Sequence, residues 1–344
     1  MRVGMLTGGG DCPGLNAVIR AATHRLVDGG AEPIGVLRGW RGLIEGLYRP
    51  LDLKAVSGIL PRGGTILHTS RTNPFSVEGG VDAVRAAFEQ LDGLIAIGGE
   101  DTLGVAARLH SELGLPVIGV PKTIDNDIAG TDQTFGFDTA VSIATEAIDR
   151  LHTTAESHDR VMVIEVMGRH AGWLAVTSGI AGGADVVLIP EFPLTVERCS
   201  ELIRQRHSRG KDFSIVVVSE GWPLTHEAGA PEVATLTGER DAFGHPRLGG
   251  VGQQLAEALE HITGFETRVT TLGHLQRGGT PTAYDRVLAT RYGLLAAELA
   301  LEKRFGLMTS LRGMEVVAAP LNDAASALRT VPRSYYALAE AFFG

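Results

Sequence analysis

Short, nearly unbroken runs of Val, Ile and Leu recur along this chain, and most end in a glycine cluster. "RVGMLT" runs into "GGG", "GLIAI" into "GGED", "RVMVIEV" into "MG" and "SIVVV" into "SEG". Between them lie longer stretches with apolar residues at helical spacing, such as "GLNAVIRAATHRLVDGG" and "DTLGVAARLHSELG". Strands apolar on both faces, each followed by a helix, indicate parallel sheets covered by helices on both sides. The pattern predicts an α/β fold. The second half repeats the alternation, so two doubly wound units are expected, with the first break near residue 138. The polar, Gly/Pro-rich stretch 222–250 reads as a surface excursion, and "SYYALAEAFFG" as an amphipathic helix docking on the second unit.

A chain of 344 residues with 44% hydrophobic content can bury a large core. The net charge of -9 argues against a nucleic-acid partner, which needs a basic footprint. It leaves anionic small substrates open, because the field in a cleft need not follow net charge. Cys12 and Cys199 form no metal or redox spacing. No apolar run reaches the roughly 18 residues of a spanning helix, and "MRVGMLTGGG" lacks a signal-peptide core. The expectation is a cytoplasmic protein with no membrane partner.

Ligands of such sheets bind beyond the carboxyl ends of the strands, where the chemistry-bearing residues cluster. "TGGGDCPGLNAVIR" (7–20) offers free backbone N–H groups and a helix N-terminus to an anion, or is simply a tight turn. In "PKTIDND" (121–127), Lys122 supplies a cation, Thr123 a hydrogen bond, and Asp125 and Asp127 a carboxylate base and a further acid. Two aspartates so spaced also suit a plain turn. Arg169 in "VMGRHAGWLA" suits a phosphoryl group or a surface ion pair, and His170 reads as structural or solvent-facing. Glu220, Arg268, His274 and Arg277 sit on other strand-end segments, with cations for a phosphate and a carboxylate for hydroxyls. Together they suit phosphoryl transfer to a sugar phosphate. A nicotinamide-dependent oxidoreductase would also use glycine loops, but the ordered G-x-G-x-x-G and its ribose-binding acid are missing.

The strings "GGGDCPGLNAVIR", "RGGT", "TSR", "GGED", "PKTIDND", "VMGRHAGWLA", "SEG", "ETR" and "LGHLQRGG", in this order, resemble the 6-phosphofructokinase family. The resemblance runs from residue 4 to about residue 290. It implies two doubly wound, mostly parallel domains with the active site in the cleft between them. Residues 1–138 plus about 270–310 would bind the phosphoryl donor, and 139–269 plus about 311–344 fructose 6-phosphate. Asp125 would be the general base, supported by Thr123 and Asp127, and Arg169 would stabilise the transferred group. Met167, Gly168, Glu220, His274 and Arg277 would hold the sugar phosphate, with Thr123, Asp125 and Arg169 also touching it. Arg160 and Arg268 would reach the sugar phosphate of a neighbouring subunit in a homodimer or homotetramer. Gly10 and Arg71 would contact the donor. Glu100 would be the acid associated with Mg2+, with Asp127 a further candidate.

ATP-using members of that family typically carry glycine where Asp101 and Lys122 stand, and the paired departure resembles the pyrophosphate-dependent branch. A carboxylate about 4 Å from a phosphate oxygen costs on the order of 4 kcal/mol at an effective dielectric near 20. Pyrophosphate has no third phosphate to meet Asp101, and Lys122 suits the phosphate that leaves. The expected reaction is phosphoryl transfer from pyrophosphate to the 1-hydroxyl of fructose 6-phosphate, the alternative being an ATP-dependent kinase. Asp101 also suits a plain N-cap for a helix starting at Thr102.

Overall fold

The computed structural model describes residues 1–227, 235–240 and 246–344. The chain opens with β1 (Arg2–Thr7), α1 (Leu15–Asp28), β2 (Glu32–Val36), α2 (Gly39–Glu45) and β3 (Tyr48–Pro50). It continues with α3 (Gly80–Ala87), β4 (Gly93–Gly98), α4 (Glu100–Leu113) and β5 (Val117–Thr123). A two-residue β6 (Phe135–Gly136) leads into the long α5 (Phe137–His158). Then come β7 (Val161–Val166), α6 (Trp173–Ala181), β8 (Val186–Leu188), α7 (Val196–Ser208) and β9 (Ser214–Ser219). A hairpin of β10 (Thr235–Arg240) and β11 (Pro246–Leu248) follows, then α8 (Val251–Thr263) and β12 (Thr267–Thr271). The chain ends with α9 (Ala283–Leu301), β13 (Leu307–Arg312), β14 (Glu315–Pro320) and α10 (Arg333–Glu340).

Two sheets result. The larger runs β14-β13-β5-β4-β1-β2-β3, with β6 paired to β5, and the smaller runs β12-β7-β9-β8. Every pairing in the smaller sheet is parallel; the larger is parallel except at its two edges, β2 with β3 and β13 with β14. β4, β5, β7 and β9 are buried along their whole length, as their apolar sequences require. Each fully buried Val, Ile or Leu contributes about 1.5–3 kcal/mol. The α/β expectation therefore holds for both halves.

The strand order places the crevices. From β1 the chain moves outward to β2 and β3, then returns to β4 on the other side of β1. The loops after β1 and β4 thus flank a switch point, where open α/β sheets bind ligands. In the smaller sheet, β9 and β12 lie on opposite sides of β7, so the loops after these three strands flank a second one.

The expected return to the second unit at about residue 311 is not what the strands do. β13 and β14 both join the larger sheet, because β13 pairs with β5 before turning into the hairpin. The segment before α10 and α10 itself go back, α10 packing on α6 and β8 and donating the Tyr336 hydroxyl to Val187 O at 2.8 Å. Among the described residues, no helix is long and apolar enough to cross a membrane.

Candidate active site

The loop after β1 is held close to its neighbours by side chains from other strand ends. Lys122, next to last in β5, is 2% exposed and donates its ammonium to Gly10 O. Burial pulls its pKa below the ordinary lysine value, with Asp11 and Asp125 among the groups opposing that fall. Arg277 crosses from the second unit and donates to Asp11 O at 3.4 Å. A Cβ at Gly10 would stand 2.7 Å from Arg277 Nη1, so glycine is what lets the guanidinium lie on this loop. Arg277, expected at the sugar phosphate, therefore touches the donor loop as well.

The end of β5 turns sharply into the segment carrying the expected base. Asp125 N–H is accepted by Thr123 Oγ1 at 3.0 Å, and Asp125 Oδ1 is buried without a hydrogen-bond partner. Asp127 is pushed up to about 7, first by burial and then by the negative charge of Asp125, with Glu100 adding and Lys122 opposing. The loop thus concentrates negative charge opposite a buried cation.

Asp101 is not an N-cap. The cap of α4 is Gly99, Glu100 is the first helical residue, and Asp101 lies inside the first turn. Helix formation starts two residues earlier than expected because both acids complement the positive end of the dipole. Their side chains line the same cavity as Gly10 and Lys122.

The opposite wall comes from the smaller sheet. After β7, Gly168 takes φ 126°, a conformation that favours glycine, and its carbonyl accepts the Ser219 hydroxyl at 2.5 Å. This turn carries Met167 and Arg169 to the cavity, and the buried Gln276 accepts Met167 N–H at 3.4 Å. Glu220 follows β9 and is pushed up to about 7 by burial and by Asp125, against the pull of Arg277 and Arg169.

One cavity of about 460 Å³ gathers Gly10, Arg71, Glu100, Asp101, Lys122, Thr123, Asp125, Asp127, Met167, Arg169, Glu220, His274 and Arg277. Gly168 shapes its rim through the backbone turn just described. Arg160 and Arg268 are not brought in. Arg160 precedes β7, at the end of the strand away from the cavity, so about 20 Å of strand separates them. It pairs with Glu266 at 2.7 Å, and Arg268 pairs with the same carboxylate. A second hollow, of about 530 Å³, lies around Arg268, between α8 and β12, but none of the other expected residues lines it.

His170, read as structural or solvent-facing, lines the central cavity, as do Gly9, Gly99, Thr102 and Leu248. The glycines and Thr102 flank motifs already visible in the sequence. Leu248 belongs to the stretch read as a surface excursion, of which 228–234 and 241–245 lie outside the described residues. No pattern in that stretch announces it.

Glycine loops, a buried lysine, arginines and clustered carboxylates, all at the carboxyl ends of two parallel sheets, define an α/β protein with one polar inter-sheet cleft. The chain belongs to the phosphofructokinase family, whose description "Phosphofructokinase" matches residues 2–300. It is 58% identical, over the whole of both chains, to a pyrophosphate–fructose 6-phosphate 1-phosphotransferase of Amycolatopsis mediterranei. It is 54% identical, over 99% of both chains, to an ATP-dependent 6-phosphofructokinase 3 of Streptomyces coelicolor. A solved pyrophosphate-dependent phosphofructokinase of Nitrosospira multiformis shares the fold, with a TM-score of 0.82 at 20% identity, covering 100% of this chain and 92% of that one.

Proposed function

We propose that this enzyme transfers a phosphoryl group from pyrophosphate to the 1-hydroxyl of fructose 6-phosphate, giving fructose 1,6-bisphosphate and phosphate. The observation that carries the choice of donor is the joint placement of Asp101 and Lys122 on one cavity wall. Asp101 stands in the first turn of α4, where a longer polyphosphate would continue, and meets it with a negative charge. Lys122 stands beside the glycine loop, where a departing phosphate needs a cation.

Asp125 accepts the proton of the 1-hydroxyl as that oxygen attacks the nearer phosphorus; the bridging P–O bond breaks and its electron pair leaves on inorganic phosphate. The unpaired Oδ1 of Asp125 suits this role, since its free lone pairs point to a missing donor. Arg169 faces the charge that spreads over the transferred group. Glu220 takes up sugar hydroxyls, while His274 and Arg277 meet the sugar phosphate. The phosphoanhydride of pyrophosphate is a weaker driving force than ATP hydrolysis, so the reaction runs readily in both directions.

Mg2+ fits the donor set. Glu100 and Asp127 present hard oxygen ligands; burial, then the nearby charge of Asp125, raises Asp127 in the substrate-free cavity. Among the described residues no three such side chains cluster closely enough to hold a metal alone. Glu100, with Asp127, would hold the ion together with phosphate oxygens, where it would neutralise charge on the donor.

The remote positions of Arg160 and Arg268 support an oligomer in which they serve the cavity of a second copy. Mixing the Asp125→Asn and Arg160→Ala/Arg268→Ala proteins, each inactive alone, then restores turnover through hybrid sites; no restoration would rule out sharing. The small anionic substrates support a cytoplasmic location.

The 54% identity to an ATP-dependent relative favours a second reading, an ATP-dependent kinase. Turnover of fructose 6-phosphate with pyrophosphate or ATP at matched concentration decides between them. Pyrophosphate alone supporting turnover is the expected outcome, and ATP alone supporting it would overturn the donor assignment.

A further inference from the structure

The segment before α10 carries no recognisable motif, yet it binds the loop that holds Asp125. Arg329 N–H donates to Asp127 O at 2.8 Å, and Arg329 Nη1 donates to Asn126 O at 3.0 Å. One residue earlier, Leu328 forms an antiparallel bridge with Ile128. These contacts matter because Asn126 sits at φ 54°, a left-handed turn that asparagine tolerates better than other side chains and that the neighbouring bonds hold in place. From the other side, Asn126 Oδ1 accepts Thr134 N–H at 3.0 Å, and the Thr134 hydroxyl donates to Thr123 O at 2.8 Å. The loop is clamped from two directions.

Arg329 also reaches the opposite wall. Its guanidinium lies 4.1 Å over the Trp173 ring, and Trp173 Nε1 donates to Arg329 O at 2.9 Å. Trp173 opens α6, four residues after Arg169. Glu191 reinforces the joint by accepting Gly172 N–H at 3.0 Å and Val331 N–H at 2.9 Å. Residues 328–331 therefore bond the loop after β5 on one side and the helix after the Arg169 loop on the other.

We propose that Arg329 is a positioning residue for phosphoryl transfer, fixing the Asp125 loop relative to the Arg169 loop through Asn126 and Trp173. It does not line the cavity, so it acts through the groups it holds. The inference rests on the reading of Asp125 as the base. Displacing such a group is costly, since about 1 Å of misplacement can slow the reaction on the order of 100-fold.

Arg329→Met removes the Asn126 bond and the stack over Trp173 but keeps the backbone bonds. Its kcat should fall about tenfold to hundredfold, with KM for both substrates within about twofold, the signature of lost alignment rather than lost binding. Amide hydrogen exchange across residues 124–128 should quicken. Arg329→Lys, which can still reach Asn126 O, should recover part of the loss. In a Trp173→Phe background the same substitution should cost less than in the wild type. An unchanged kcat with a lower melting temperature would reduce Arg329 to an anchor for the C-terminus, and a rise in KM alone would make it a substrate contact; either overturns the proposal. Should Arg329→Met not fold, Arg329→Lys and Trp173→Phe are judged by the same readouts. A wild-type protein that turns over neither donor would instead refute the assignment of Asp125, while the exchange measurement still decides whether Arg329 orders the loop.

Discussion

The two walls of the cavity are built differently. The wall from the larger sheet combines exposed backbone with short acids: a glycine loop with Lys122 buried against Gly10 O, a helix N-terminus with two acids in its first turn, and Arg71 beside them. The wall from the smaller sheet is made of longer side chains on loops, with Arg169 and Glu220 half-buried and His274 exposed. A backbone-lined wall with a fixed cation suits a small, rigid anion whose length it can gauge. A wall of long side chains suits a flexible sugar phosphate that must be gripped at several points. The difference teaches that donor choice sits in geometry that cannot yield, whereas acceptor binding sits in groups that can adjust.

The most severe way to break this division is at the residue between the walls. Asp125→Asn should lower kcat by about 10²–10⁴ while leaving fructose 6-phosphate binding in place, seen by calorimetry; lost binding with intact turnover chemistry would move Asp125 to the acceptor wall. Next comes Asp101→Gly, expected to raise kcat/KM for ATP by about 10- to 100-fold, a fraction of the roughly 4 kcal/mol Coulomb ceiling. No gain with ATP would leave Asp101 only a stabiliser of the dipole of α4.

Glu220 sharpens the comparison through pH. Its folded pKa of about 7 lies above the unfolded 4.5, so the folded state holds the proton more tightly. Its stabilisation is complete below pH 4.5 and is lost as pH rises through about 7. Glu220→Gln should flatten the fall in melting temperature of the substrate-free enzyme across that window; an unaltered slope would place the titration elsewhere. The smallest effect is expected far from both walls. Tyr336→Phe should cost about 1 kcal/mol of stability with kcat/KM unchanged, checked by denaturant unfolding beside steady-state rates.

The parts of the molecule that use side-chain pattern were legible in the sequence. β4, β5, β7 and β9 announce themselves as apolar runs, and α1 (Leu15–Asp28) lies where helical spacing put it. Lys122, Asp125, Arg169 and Glu220 were legible as cavity-lining positions because each lies at or just beyond the carboxyl end of an apolar strand, the end at which such sheets bind ligands. Residues 328–331 were not, because they act through backbone bonds and one arginine reading carbonyls, which no spacing reveals. The hairpin of β13 and β14 escaped because an edge pair in the larger sheet looks, in sequence, like any two strands of a second unit. Arg277 was assigned to one wall only, since its contact with Asp11 O depends on the absence of a side chain at Gly10.

The pairing of β13 with β5 has a consequence for how the chain is made. Until residues 307–312 leave the ribosome, β5 has β4 on one side and, among the described strands, only the two-residue β6 on the other. The smaller sheet is synthesised almost entirely within that interval. The growing chain therefore carries a long apolar strand with an open edge, the kind of surface that seeds aggregation. Neither sheet can be expressed alone as a simple N- or C-terminal fragment, and a truncation before residue 307 should yield insoluble protein even though every cavity-lining residue has already been made.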